Sequence, residues 1–527
     1  MRTFVFCLLT VLLALAQEHE KPVVLYPGLG SWHHPIHTAS SEAQQYFDQG
    51  LRLMYGFNRY EALRSFRKAA ELDPSAAMPY WGMAMAQGPY INMDGDAEFN
   101  MKTSCEAAAA GARLTAAGDR EQAYLGAAAR RCPEYQPQTY VEAMRALAAR
   151  WPDDPDALTL YAESLMIPVR WHWYANDGAP AAGVSEAERV LEEAMRRWPD
   201  HPGANHLYIH VVESSHTAER AIPSAQRLMG IMPWAGHMVH MPGHIWLVVG
   251  DYEMAASVNE RAVAVDREYV AQTGVTHSGY ESYYVHNLHF VAYARWMQGR
   301  KADGLRASAE MLAALEPMEK TMPEMTDMFR AVTLFGHVRF ADWDGILKTP
   351  QPLDSQPQSL ATWRYARAIA FAARGERQAA EQERTALAAL RAKLPAEAMF
   401  GYNKSGDVLG VALETITARL ASTPAEAVPH WQRAVALQDT FSYDEPPDWY
   451  YPVRESLGAA LLRAGRAPEA EAAFREGVKR SPRNGRLLFG LMESLRAQGK
   501  EEDAAWVKRE FEAAWAKADV ELKLAEM

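Results

Sequence analysis

One spacing recurs along this chain and restricts its fold more than any other feature. Ala62, Phe66, Ala69 and Pro74 are separated by 4, 3 and 5 positions. The same intervals return at Ala187, Leu191, Ala194 and Pro199, at Ala221, Ala225, Leu228 and Pro233, and at Ala470, Phe474, Gly477 and Pro482. Two of the copies end 34 residues apart. Small and apolar residues at intervals of three and four mark one face of a helix, and the proline marks its stop. A unit of this length cannot bury its apolar face alone, so several must stack and cover one another. Sustained alternation of the kind strands need is missing, and the stretches between clear copies stay rich in Ala and Leu with helical periodicity.

The pattern resembles the tetratricopeptide repeat family, with Gly50, Gly243 and Gly458 filling the small-residue slot of the first helix. "GDYEMAA" at 250 and "AGRAPEAEAAF" at 464 match the turn and second helix. The resemblance implies an all-α, right-handed tetratricopeptide-type helical solenoid. It divides the chain into N-terminal repeats at 41–160, central repeats at 161–310, degenerate helical repeats at 311–440 and C-terminal repeats at 441–527. The phrases "HHPI" at 33, "FDQGLRLMYGFN" at 47, "WGMAMAQGPYIN" at 81, "HMPGHI" at 240, "HNLHF" at 286 and "DEPPDWYYPVRESLGAALL" at 444 also resemble a group of exported bacterial repeat proteins. Arg59 departs from that group, in which a histidine follows the Phe-Asn. This second resemblance implies fold and export, and brings no activity with it.

Export is also legible in the residues. "MRTFVFCLLTVLLALAQ" has a basic start, a short apolar core and an Ala14-Leu15-Ala16 cleavage site, so residues 1–16 read as a signal peptide and 17–40 as an extended segment. The expected location is periplasmic or secreted. After cleavage no segment is long and apolar enough to span a bilayer. A net charge of -12 argues against nucleic acid as partner. Of the 3 cysteines, Cys7 leaves with the leader. Cys105 and Cys132 flank an Ala-rich helical hairpin and can form a disulfide in an oxidising compartment or remain two buried thiols.

The chemistry lies in the histidines. Nine of the 17 fall between residues 202 and 289. Helix geometry places His206, His210 and Glu213 on one face, His237, His240 and His244 on another, and His286 with His289 on a third. Counted in repeat register, these residues occupy positions 2, 5, 9 and 12 of successive first helices. The resemblance implies that all eight face the concave groove, with Glu163 a weaker groove candidate. Pro242 is expected to bend its helix and tip His244 toward the others.

Three readings compete. The histidines can be satisfied by hydrogen bonds alone, can hold an anionic ligand or peptide tail, or can bind transition metal. The stripes lack the Lys and Arg of an anion site. Neutral imidazole with carboxylate suits copper, zinc or iron, so one or more such ions are the leading expectation. That makes the chain a candidate metal-dependent oxidoreductase or hydrolase. A groove that binds a small molecule or peptide, an adaptor that binds a protein partner through its repeat surface, and a metal store or carrier are the alternatives.

Tyr280, Tyr283 and Tyr284 flank the last histidine stripe, and Tyr283 and Tyr284 are candidates for redox or hydrogen-bonding roles. Asp444 and Glu445, in "YDEPPDWYYPVRE", are candidates for general base or ligand, with Arg454 holding an anion. "RWHWYANDGAP" at 170 reads as a lid or a packing cap. "SWHHPIHT" at 31 reads as flexible surface histidines, His216 as a structural turn residue, and His277 as a loop ligand or an exposed side chain. Phosphate-loop, nucleophile-elbow and H-E-x-x-H motifs are missing from the sequence.

Overall fold

A computed structural model describes residues 20–92, 100–276 and 278–527. The leader and His277 lie outside these residues. The fold is all-α: among the described residues the only strands are the two-residue pair Met399–Phe400 and Asn403–Lys404. None of their helices is long and apolar enough to cross a membrane. The chain divides into two compact units. The first runs to Ile245 and includes Glu260–Tyr284; the second combines Trp246–Asn259 with Val285–Met527.

Each unit is built from helices paired with their neighbours in the chain. In the first, Ser41–Tyr55 pairs with Arg59–Leu72, Pro155–Met166 with Val184–Arg197, and Pro202–Glu213 with Ile222–Ile231. Sequence sets the boundaries. The Ser40 side chain accepts from the Ala43 N–H, Asn58 from Glu61, and Asp154 from Asp156 and Ala157, each satisfying a helix start. The 4-3-5 motif is the packing seam. Ala62, Phe66 and Ala69 are fully buried. The Phe66 ring lies so close to Gly50 that a Cβ there would stand 2.6 Å from it, and Gly82 of the following helix meets the same ring from the other side. Phe474 sits between Gly458 and Gly490 in the second unit in the same way.

This makes a direct prediction. Alanine in a helix interior gains about 1 kcal/mol over glycine. Overpacking a tight core costs about 1–3 kcal/mol. The overpacking term should win at Gly50, whose neighbours are fixed. Gly50→Ala is therefore expected to lower the urea midpoint of unfolding without changing the transition's slope.

Cys105 and Cys132 are joined in a disulfide with Cα atoms 5.7 Å apart. Residues 20–40 run without helix, as expected; His33 and His37 are exposed, also as expected, whereas His34 is not a surface group. The His34 side chain is buried, with Nδ1 2.7 Å from Asp156 Oδ2. Asp156 also accepts from the Tyr55 hydroxyl at 2.6 Å and the Trp32 indole at 3.1 Å. Burial opposes the charged His34 ring, but the Asp156 bond and charge outweigh it and raise its pKa. His33 bonds Asp48 and His37 bonds Glu121. The segment is thus tied to three helices by imidazole–carboxylate pairs between residues far apart in the chain, which a local reading of the sequence cannot see.

Candidate metal centre

The site in the first unit starts from the helix Pro202–Glu213. His201 caps it through Nδ1, Pro202 opens it, and every residue along it is buried. Its inward face carries His206, His210 and Glu213. The next first helix is interrupted: Gly236–His240 ends, Met241 follows, and a new helix begins at Pro242. Pro242 has no N–H to continue the ladder, so the expected bend appears as a break. His237 and His240 thus sit before the break and His244 after it.

Six of the eight predicted residues lie in the first unit, and they come together there. His206, His210, Glu213, His237, His240 and His244 are each at most 2% exposed. The Nε2 atoms of His206 and His237 face each other at 3.1 Å. His210 completes the group, with one ligand atom of each ring within 4.8 Å of the others. Nitrogens about 2.0–2.1 Å from a common ion stand about 2.9–3.4 Å apart, and the His206–His237 separation falls in that interval. His240 and His244 face each other through Nε2 at 2.6 Å.

The outward nitrogens are held. His206 Nδ1 donates to the Tyr55 carbonyl at 2.6 Å. His210 Nδ1 lies 3.0 Å from Glu213 Oε1, and His244 Nδ1 lies 2.5 Å from Glu213 Oε2. One carboxyl group therefore spans the two clusters, and in its ionised form it accepts from both Nδ1 atoms and leaves each Nε2 as the lone-pair nitrogen. Glu213, expected among the ligands, stands in a second candidate group with His210 and His244, each of its oxygens facing one imidazole.

Burial pushes His206 well below the ordinary imidazole pKa, with His210 adding to the effect, and takes His210 down to about 3. Burial thus favours the neutral form of these two rings, the form a metal ligand needs. Burial pushes Glu213 well up. His210 Nε2 is buried without a hydrogen-bond partner among the described residues. A buried polar atom left in this state is uncommon enough to require an explanation.

Aromatic rings wall the cluster. Phe57 lies 4.4 Å from His206, 5.1 Å from His237 and 5.9 Å from His210 by ring centroids, nearly parallel to the last two. Its φ is +56, a left-handed conformation that a Phe adopts only at a cost. Trp171 and Trp173, from the segment at 170, pack on His210 at 6.3 and 6.0 Å, so that segment acts as a packing cap. Tyr283 packs on His237 at 4.4 Å, and the Tyr280 hydroxyl accepts from the His237 N–H. Phe57 and the Tyr55 carbonyl escape a sequence reading; the only local signal is the Gly-Phe-Asn that ends the first helix.

Tyr284 receives a hydrogen bond from Arg267 at 3.1 Å. Glu163 is buried beside Arg59 and Arg131, and burial raises its pKa. His216 bonds the Asn176 carbonyl, a turn role as expected. His286 and His289 belong to the second unit. His289 is buried edge-on to Phe329 at 5.7 Å, and burial lowers it to about 3; His286 is half-buried beside Phe290.

Asp444 and Glu445 are also in the second unit, where Asp444 groups with Asp448. Burial, then the Asp448 charge, raises Asp444 well above a usual carboxylate, and burial takes Asp448 to about 6. Asn403 donates to Asp448 at 2.7 Å, and Gly401, at φ +59, leaves no room for a Cβ between the two aspartates. The group fastens the short hairpin. Arg454 does not wait for an anion: both its terminal nitrogens lie 2.6 Å from Asp439.

No family model matches the chain, and no curated protein matches it. Solved structures do. The tetratricopeptide domain of P58(IPK) is 12% identical and aligns over 88% of this chain and 99% of its own, with a TM-score of 0.23. Yeast Tom70 is 11% identical, aligned over 89% and 90%, with a TM-score of 0.28. Superpositions this loose add nothing to the helix packing described above.

Proposed function

We propose that the chain is an exported metalloprotein whose first unit holds a transition-metal ion on the Nε2 atoms of His206, His210 and His237. The observation that carries this reading is the state of His210. Its Nδ1 is committed to Glu213 and its Nε2 is buried without a partner, beside two further Nε2 atoms 3.1 Å apart. Hydrogen bonding alone can serve the His206–His237 pair through one shared proton, but it leaves His210 unsatisfied. An ion satisfies all three. The His240–His244 pair, oriented by the same Glu213, offers a second locus.

Three neutral imidazoles favour copper, zinc or iron, and leave a coordination position for a small ligand. Such an ion supplies Lewis-acid activation of water or, as copper or iron, dioxygen chemistry. The chain's own residues supply the rest. Tyr55 and Glu213 hold the tautomers, while Phe57, Trp171 and Trp173 keep bulk water from the rings. Tyr283, packed on His237, is the side chain best placed to exchange a proton or electron with that position. The reading is therefore a metalloenzyme.

Loading the tag-free protein with Cu(II) and recording X-ray absorption tests it. The reading expects about three imidazole nitrogens at about 2.0 Å. A first shell made only of oxygens would overturn it.

A further inference from the structure

The second unit contains a cavity of about 410 Å³, a size suited to a small molecule. Its wall carries Arg339, Arg419 and Arg486, with Thr415, Tyr365 and Tyr450 between them. Arg339 is neutralised by Glu455, both oxygens of which lie 3.3 Å from its nitrogens, with Asn484 donating to the same carboxylate. Arg486 lies 3.8 Å from Glu455 through one terminal nitrogen and donates to the Arg339 carbonyl at 3.3 Å through the other. Arg419 lies over the Trp431 ring at 5.2 Å, and among the described residues no carboxylate pairs with it. Glu521 and Glu526 reach the cavity from the stretch 520–527, but both are exposed, and Glu526 pairs with Lys523.

The neutral groups repeat the imbalance. Thr415 is 1% exposed and its hydroxyl has no hydrogen-bond partner among the described residues. It lies one helical turn before Arg419 on Ser405–Arg419, so both point to the same side. The Tyr365 and Tyr450 hydroxyls bond each other at 2.9 Å. One donates to the other, which leaves the second O–H looking for an acceptor. Away from the 520–527 stretch, which brings Glu521, Glu526 and the buried Met527 to the lining, the wall is thus rich in donors and positive charge, poor in side-chain acceptors, and backed by Ile369, Ala372 and the tyrosine rings.

We propose that this cavity binds a small organic acid, its carboxylate held by Arg419, Thr415 and Arg486 and its apolar body lying against Tyr365, Tyr450 and Ile369. A planar carboxylate matches the fork of one guanidinium, and the apolar wall selects against a bare inorganic anion.

Calorimetry on the full chain tests this with benzoate and 3-phenylpropanoate, their neutral amides, inorganic phosphate and an acidic hexapeptide. At least one of the two acids should bind with Kd below about 1 mM, about tenfold or more tighter than its amide. Arg419→Gln should weaken that acid about tenfold, and Thr415→Val severalfold, with melting temperature and metal content unchanged. If Arg419→Gln fails to fold, Thr415→Val alone decides. No saturable binding of either acid up to about 10 mM overturns the proposal. So does equal affinity for acid and amide, unaltered binding by the variants, or binding confined to phosphate or the peptide.

Discussion

Replacing His210 and His237 together by alanine should remove one transition-metal ion per chain. Each supplies an Nε2 to the three-imidazole cluster, and His206 alone is a monodentate site. Losing two of three protein ligands from a site of this kind leaves affinity too weak to survive dialysis. The paired control is His240→Ala with His244→Ala. It removes the facing pair but leaves the His206, His210 and His237 nitrogens in place, so the ion at the first cluster should remain. Elemental analysis after dialysis reads both, and circular dichroism confirms that helical content is kept. Equal metal in the first double variant and the wild type would refute the ligand assignment. Loss of all metal from the control would move the primary site to the His240–His244 side.

Glu213 carries the second large effect, and it acts through the rings it orients. Glu213→Ala removes the acceptor for His210 Nδ1 and for His244 Nδ1 at once. Two imidazole N–H groups are left buried, at about 1–3 kcal/mol each, and both rings become free to turn. Metal affinity should fall about 10–100-fold, the usual effect of losing a carboxylate that orients a histidine ligand. Glu213→Gln keeps the shape and one acceptor oxygen, so it should fall between the alanine variant and wild type. Competition against a chelator of known affinity measures this. The metal-free form should also melt earlier in the alanine variant, since the buried donors remain without the ion. If Glu213 were instead a principal ligand, glutamine would be as damaging as alanine.

The fold was legible in the sequence because its information is local. Ala62, Phe66, Ala69 and Pro74 fix a helix, its buried face and its end within 13 residues, and Gly50 marks where the neighbouring helix must approach. The histidine stripes were legible for the same reason, since intervals of three, four and seven place side chains on one face. The functions of individual atoms were not. His206 takes its tautomer from the Tyr55 carbonyl, 151 positions away, and His34 finds Asp156 at a separation of 122. Glu213 reads as part of the site because it shares a helix face with His206 and His210. That it bridges to His244 depends on how two helices meet, which periodicity does not record. Phe57 gave no signal as a wall of the site, because its placement follows from a backbone turn after the first helix. The cationic cavity of the second unit escaped for a similar reason: Arg339, Arg419 and Arg486 come from three separate helices.

The central claim is that the imidazoles of the first unit hold an ion. Elemental analysis of the full chain, purified without a histidine tag, tests it most directly. The account predicts about one or more ions of copper, zinc or iron per chain. Metal below about 0.2 per chain, with no uptake when each of these ions is titrated in, would contradict it.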